Sequence, residues 1–210
     1  MKTIGLVGGV ASGKSLVGRM LVELGAGLLD ADLAGHSVLA EDSDVRELVQ
    51  SRWGDSILTP TGAIDRTAIA QRVFAQTAAG AADRQFLESV LHPRIRQRLN
   101  ELCNQFAGAG KPAVVLDAPL LLEAGWGPLC DVILFVEVPR EKRLERALSR
   151  GWTAAEFARR EASQWPIEQK QSASHVVLAN TGTEADLRTK VQRFWEQHVS
   201  PQHTSPTISH

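Results

Sequence analysis

Near the start of the chain stands Gly8-Gly9-Val10-Ala11-Ser12-Gly13-Lys14-Ser15, a full match to the phosphate-binding pattern G-x-x-x-x-G-K-[ST]. The letters around it fit as well. Thr3-Ile4-Gly5-Leu6-Val7 reads as a short buried strand. Leu16 to Leu24 reads as a helix, with Gly25 as its stop. Strand, glycine loop and helix N-terminus are the parts that anion binding needs. Glycines let the backbone approach closely, so that successive N–H groups form a nest for an anion. The helix adds unpaired donors and the positive end of its dipole. The lysine of such a loop reaches the β- and γ-phosphates, and the hydroxyl after it ligates Mg²⁺. These rules assign nucleotide contacts to Gly8, Gly9, Ala11, Ser12, Gly13, Lys14, Ser15 and Leu16, and they make Ser15 a metal ligand.

The rest of the chain sets limits. Its 210 residues suffice for one α/β domain with a small appendage. A formal net charge of −1 argues against a nucleic-acid partner. Two cysteines far apart, Cys103 and Cys130, argue for a reducing compartment and against a disulfide scaffold or zinc site. The apolar run after Lys2 is too short and glycine-rich for a secretion signal, and no stretch approaches a membrane span. The expected location is the cytoplasm, with no membrane partner and a monomeric or weakly oligomeric state.

Further along, Leu28-Leu29-Asp30-Ala31-Asp32 reads as a second strand running into a loop, with a helix beginning between Ala34 and Leu39. Acids at a strand's C-terminal end lie where open α/β sheets put their sites. Asp30 is open between that role and capping a helix; Asp32 is read as functional. Residues 42–110 are largely helical by periodicity, with a turn at Pro60-Thr61-Gly62 and an apolar stripe that Pro93 interrupts. So long a connection reads as an insertion that binds the acceptor, or alternatively as a crossover with extra helices. His92 has a bland reading too, as a helix-end residue bonding a carbonyl.

Ala113-Val114-Val115-Leu116-Asp117 is an apolar strand ending in an acid. Asp117 is expected to hold Mg²⁺, to cap a short helix over Leu120–Glu123, or both. Val132–Val136 and Val176–Leu178 read as further buried strands, apolar throughout as parallel strands are. Arg143, Arg146 and Arg150 share one helical face. Paired with Glu141 and Glu145 they make a solvated face; a phosphoryl-transfer enzyme would instead use them as cations over the transferring group. Residues 151–171, with Arg159, Arg160 and Lys170, read as a lid. A last amphipathic helix carries Leu187, Val191, Phe194 and Trp195. The tail, residues 200–210, is expected to be disordered, with His203 and His210 solvated.

The loop GLVGGVASGKS, the stretch LLDADLAGH with Asp30, Asp32 and His36, the tetrad His92-Pro93-Arg94-Ile95, the element VVLDAPLLLE around Asp117, Arg146 and Arg150, Gln164 and Lys170, and Asn180-Thr181-Gly182 closely resemble dephospho-CoA kinases. The DAD element together with DAPLLLE is the specific part; adenylate, shikimate and gluconate kinases share the loop but not that pair. The resemblance implies an α/β fold of the P-loop NTPase class: a three-layer α/β/α core with a five-stranded parallel sheet (residues 1–41, 111–139 and 173–199), a helical substrate-binding insertion (42–110) and a lid (140–172). It implies transfer of the γ-phosphoryl of ATP to the ribose 3′-hydroxyl of dephospho-CoA, with Mg²⁺. It further implies Asp32 as general base, Lys14, Arg146 and Arg150 as catalytic cations, and Asp32, His36, His92 and Asp117 at the substrate. Another small-metabolite or nucleotide kinase is the alternative. Leu16 in place of Thr, Arg143 in place of Gln and His175 in place of Asp depart from the family's pattern.

Overall fold

The computed structural model describes residues 1–75 and 77–199. The expectation for the tail falls outside them. The chain divides into two compact units, one formed by Met1–Leu29 and the chain from Cys103 onward, the other by Asp30–Leu102.

The first unit is built on a sheet of strands β1 (Lys2–Gly8), β2 (Gly27–Asp30), β3 (Ala113–Asp117), β4 (Val132–Glu137) and β5 (Val176–Ala179), in the spatial order β2-β3-β1-β4-β5. It is parallel: Leu6 pairs with Asp117 on one side of β1 and Leu134 on the other, and Phe135 with Val177. The reversal of strand order lies beside β1, so the crevice that such sheets use for ligands opens where the glycine loop begins. The strands are apolar throughout because both faces are covered. Ile4, Leu6, Val115, Leu134 and Val136 pack on helices α1 (Lys14–Glu23) and α9 (Glu184–His198). At the opposite face Gly5 leaves room for Cys130 and Leu121: a Cβ there would lie 2.6 Å from the Cys130 sulfur. Burial, then the Asp131 charge, pushes the Cys130 thiol up to about 11, so it is inert packing. The helices α6 (Arg140–Ser149), α7 (Ala154–Ala162) and α8 (Ile167–Ser172) fill the connection from β4 to β5.

The final helix forms as its periodicity predicts. Leu187, Val191, Phe194 and Trp195 are all buried, and Thr183 with Asp186 makes a reciprocal capping box at its start. Just before β5, the His175 ring nitrogen Nδ1 accepts from the Ile133 amide at 2.8 Å while the His175 amide donates to the Ile133 carbonyl at 2.9 Å. A side chain thereby continues the ladder.

The second unit contains α2 (Ala31–Glu41), α3 (Ser43–Trp53), α4 (Arg66–Val73) and most of α5 (Ala78–Gly108). Val45, Val49, Ile57 and Ile69 form its apolar interior, and the rings of Trp53 and Phe86 meet edge to face at 5.5 Å.

Three sequence expectations fail locally. β2 ends at Asp30 and α2 starts at Ala31, so Asp32 lies on a helix and not in a loop. Pro93 does not interrupt the helical stripe: α5 runs through it for 31 residues. A proline removes one amide donor and crowds the turn before it, but Val90, Ile95 and Leu99 are buried on either side, and that packing holds the helix together. Residues 119–125 form successive turns, so Leu120–Glu123 is not a helix; Leu121 and Leu122 are buried and spend the segment on packing.

Candidate active site

The glycine loop leaves β1 at Gly8 and enters α1 at Gly13, whose φ of +93° is left-handed backbone that a side chain would strain. Space is lacking as well as torsional freedom. A Cβ on Gly13 would lie 2.5 Å from the Asn180 side-chain nitrogen. A Cβ on Gly8 would lie 2.7 Å from both the Ser12 hydroxyl and the Val136 carbonyl. Ala11 adopts φ +60°, the left-handed region, without being glycine. The start of α1 has no side-chain cap and no acid in its first turn. Its leading N–H groups and dipole are left for an anion. The Ser12 hydroxyl is buried and has no hydrogen-bond partner among the described residues. Ser15 is exposed and Leu16 half-buried beside it.

Lys14 folds its ammonium toward the Gly8 carbonyl at 3.3 Å. Burial lowers its pKa to about 8; the charges of Asp117 and Glu123 oppose that shift, while Lys170 and Arg143 add to it. Asp117 therefore lies near enough to act on the loop lysine, from the end of the strand next to β1.

Behind this group stands a buried ion pair. The Lys170 ammonium lies 2.9 Å from Glu123 and 3.0 Å from the Gln164 side-chain oxygen, and the Trp165 amide donates to Glu123 at 2.8 Å. Burial alone would raise the Glu123 pKa; the bonds from Lys170 and from the Trp165 amide outweigh it and hold the carboxyl below its ordinary range.

The three arginines expected on one helical face, Arg143 and Arg146 in α6 and Arg150 at its C-cap, have three different fates. Arg146 donates to the Ser12 carbonyl at 3.2 Å and the Asn180 carbonyl at 3.0 Å. Arg150 is exposed, and with Arg146, Lys14, Ser15, Arg19 and Asn180 it lines a cavity of ≈ 590 Å³ beside the loop. Arg143 is buried and pairs with Glu161 at 2.7 Å, so the solvated face of Glu141- and Glu145-paired arginines is corrected there. Helical spacing gives direction, but it cannot show that α7 covers one end of the face. Of the lid residues, Arg160 pairs with Glu156 at 3.0 Å and lies over the Trp152 ring.

The second unit carries the remaining candidates. The Asp30 carboxylate accepts from the Leu33 amide at 2.8 Å and caps α2, which decides its open reading. Asp32 is exposed on the first turn of that helix. His36 Nε2 lies 2.6 Å from an Arg66 guanidinium nitrogen. His92 is half-buried inside α5, one residue before Pro93, and not at a helix end.

Two participants carried no role in the sequence reading. Asn180, 5% exposed, donates its side-chain amide to the Ser12 carbonyl at 2.8 Å and so clamps the loop. Glu123 was hidden in an apolar run. Asn180 had a usable signal, a polar residue directly after a buried strand of a parallel sheet.

The profile of a family described as dephospho-CoA kinase matches residues 2–186. A dephospho-CoA kinase of Rhodopirellula baltica is 39% identical over 189 residues, covering 90% of this chain and 87% of that protein. One of Geobacter sulfurreducens is 39% identical over 197 residues, covering 93% and 98%. A crystal structure from Thermus thermophilus superposes with a TM-score of 0.79 at 30% identity, over 95% of this chain and 98% of the other. A shikimate kinase of Acinetobacter baumannii, at 18% identity and a TM-score of 0.50 over 95% and 96%, shares the fold alone. With a glycine cradle, a shielded lysine and a strand-end acid in one unit, and a family match over nearly its whole described length, this chain belongs to the dephospho-CoA kinases.

Proposed function

We propose that this chain moves the γ-phosphoryl group of ATP to the 3′-hydroxyl of the ribose of dephospho-CoA, giving coenzyme A and ADP. The observation that carries the reading is the loop between β1 and α1, in a chain whose family match spans residues 2–186. Loop amides and the start of α1 hold the β- and γ-phosphates. Lys14, with its ammonium already shielded from water, balances charge as the γ-phosphoryl passes between oxygens. Arg146 and Arg150, at the cavity beside the loop, add cations as that charge spreads.

Asp32 orients the ribose hydroxyl and accepts its proton as the new O–P bond forms and the bond from the γ-phosphorus to the bridging oxygen breaks, leaving ADP. His36 and His92 contact the acceptor. Asp117, the last residue of β3, contacts the acceptor as well.

Ser15 and Asp117 are the protein oxygens that fit Mg²⁺, a hard cation that takes few protein ligands and fills its shell with phosphate oxygens and water. Among the described residues no cluster of three His, Cys, Asp or Glu side chains is suited to a metal. Held by Ser15 and Asp117, Mg²⁺ would supply positive charge against the phosphates.

A cytoplasmic setting goes with ATP as substrate and with the unpaired Cys103 and Cys130. Among the described residues no helix is long and apolar enough to cross a membrane.

The test is ADP release coupled to detection of 3′-phosphorylated product. Turnover should require dephospho-CoA. A rate no higher than with ATP alone would reject the reading, and faster turnover of AMP, shikimate or gluconate would move the assignment to another metabolite kinase.

A further inference from the structure

Arg143 enters from the first turn of α6 and is 3% exposed. Its guanidinium is used in three directions. Nε donates to the Val138 carbonyl at 3.2 Å, Nη1 to the Val10 carbonyl at 3.3 Å, and Nη2 meets Glu161 of α7 at 2.7 Å. Its central carbon lies 5.6 Å from the centre of the Phe157 ring, which is also on α7 and wholly buried. Arg140 stands at 5.4 Å from the same ring and pairs with Glu161 at 2.9 Å.

A second observation points the same way. Val10, Ala147 and Phe157 form a small apolar core of their own, with Ala11, Leu144 and Trp152 packed against it. The crest of the phosphate loop therefore shares a core with α7, and its Val10 carbonyl accepts from the same arginine that pairs with Glu161 of α7. Gly9 leaves the space: a Cβ there would lie 2.7 Å from Arg143 Nη1. The crest needs outside support, because Ala11 holds a left-handed φ of +60° that a non-glycine residue adopts only when its surroundings enforce it. A bond to the Val10 carbonyl fixes that peptide. A carbonyl free to turn toward the phosphates would repel them and withdraw an N–H from the nest.

We propose that Arg143, held by Glu161, is a positioning residue for the phosphate loop, and that through this pair α7 and nucleotide binding are coupled. The proposal rests on the kinase reading, and it concerns the binding step.

The experiment compares Arg143→Met, Arg143→Lys, Glu161→Gln and the Arg143→Met/Glu161→Gln double variant by ADP calorimetry, steady-state kinetics and thermal melting. Arg143→Met should weaken ADP binding and raise the KM for ATP by about tenfold, with the KM for dephospho-CoA changed less than about twofold. Arg143→Lys, which keeps a charge and a donor, should recover part of that loss. Glu161→Gln should weaken ADP binding by about threefold alone and add nothing in the Arg143→Met background, as residues of one network do. Unchanged ADP affinity in Arg143→Met overturns the proposal, and so do additive effects of the two substitutions. If Arg143→Met does not fold, ADP binding by Glu161→Gln equal to that of the unaltered protein overturns it alone. An unaltered protein that binds ADP yet phosphorylates no dephospho-CoA would sink the kinase reading, while the ADP comparison still decides the role of Arg143.

Discussion

The Lys170 ammonium lies 2.9 Å from the Glu123 carboxylate with 2% of its side chain exposed, and so ties α8 to the turns that follow β3. Those turns begin two residues after Asp117, so the pair steadies the segment next to the proposed metal ligand. The charge of this pair also reaches Lys14.

Removing the acid leaves a buried cation without its counter-charge. Glu123→Ala should destabilise the fold by about 3–5 kcal/mol in denaturant titration. Lys170→Met should cost less, because the Glu123 side chain is 14% exposed and keeps the Trp165 amide. The folded pKa of Glu123 is below its unfolded value. Its contribution is therefore complete above the ordinary carboxylate range and lost as pH falls through the lower folded value. A stability profile of Glu123→Gln against pH should show less acid sensitivity than that of the unaltered protein.

Lys14 contributes a penalty where Glu123 contributes a gain, although stability rises with pH for both. Its folded pKa of about 8 is below the unfolded value, so the charged form is disfavoured by folding. The penalty is full at pH below 8 and is relieved as pH rises toward the unfolded value. Lys14→Met should therefore melt at a higher temperature than the unaltered protein at pH 7 without nucleotide, while losing turnover by about 100-fold or more. A polyphosphate favours the charged lysine. Calorimetry at pH 8 in buffers of different ionisation enthalpy should detect uptake of about half a proton on ADP binding.

The neighbouring acids at the end of β2 should separate cleanly. Asp30→Ala removes the bond to the Leu33 amide and should cost about 1 kcal/mol of stability in denaturant titration, with kcat nearly unchanged. Asp32→Asn should leave stability within about 0.5 kcal/mol, since the residue is exposed, and lower kcat by about 100-fold with ADP affinity intact. An Asp32→Asn enzyme with full turnover would remove that residue from the mechanism.

Gly13→Ala confronts both a left-handed φ of +93° and a Cβ placed 2.5 Å from the Asn180 side-chain nitrogen. It should abolish measurable ADP binding in calorimetry while the sheet remains folded by circular dichroism. Gly110→Ala, equally left-handed at φ +71° but with nothing within 4 Å, should bind ADP normally and lose only about 1 kcal/mol of stability.

What the sequence disclosed follows the range of the forces involved. The five strands and the final helix are written as apolar runs and stripes, because burial acts on whole segments. The phosphate loop is legible from eight letters because glycine backbone freedom and a lysine at fixed spacing are local properties. Asp30 is the intermediate case: its cap bond spans three residues, but the same letters suit a site acid. Arg143 and Lys170 were unreadable in principle. The counter-charges Glu161 and Glu123 lie 18 and 47 positions away, and only the packing of α7 and α8 against the core brings them close. Pro93 misled for a related reason, since the tertiary packing that offsets its lost donor is not visible in helix propensity.

Lys2, at the outset of β1, donates from its ammonium to the His198 carbonyl at the close of α9. Opposite ends of the described chain thus meet across one bond. Rewiring exploits such closure: a short linker from Val199 to Met1, with new termini opened at the exposed Gly110 between α5 and β3, would keep every strand neighbour in place. The order in which the ribosome delivers the strands could thereby be changed while the cradle stays whole.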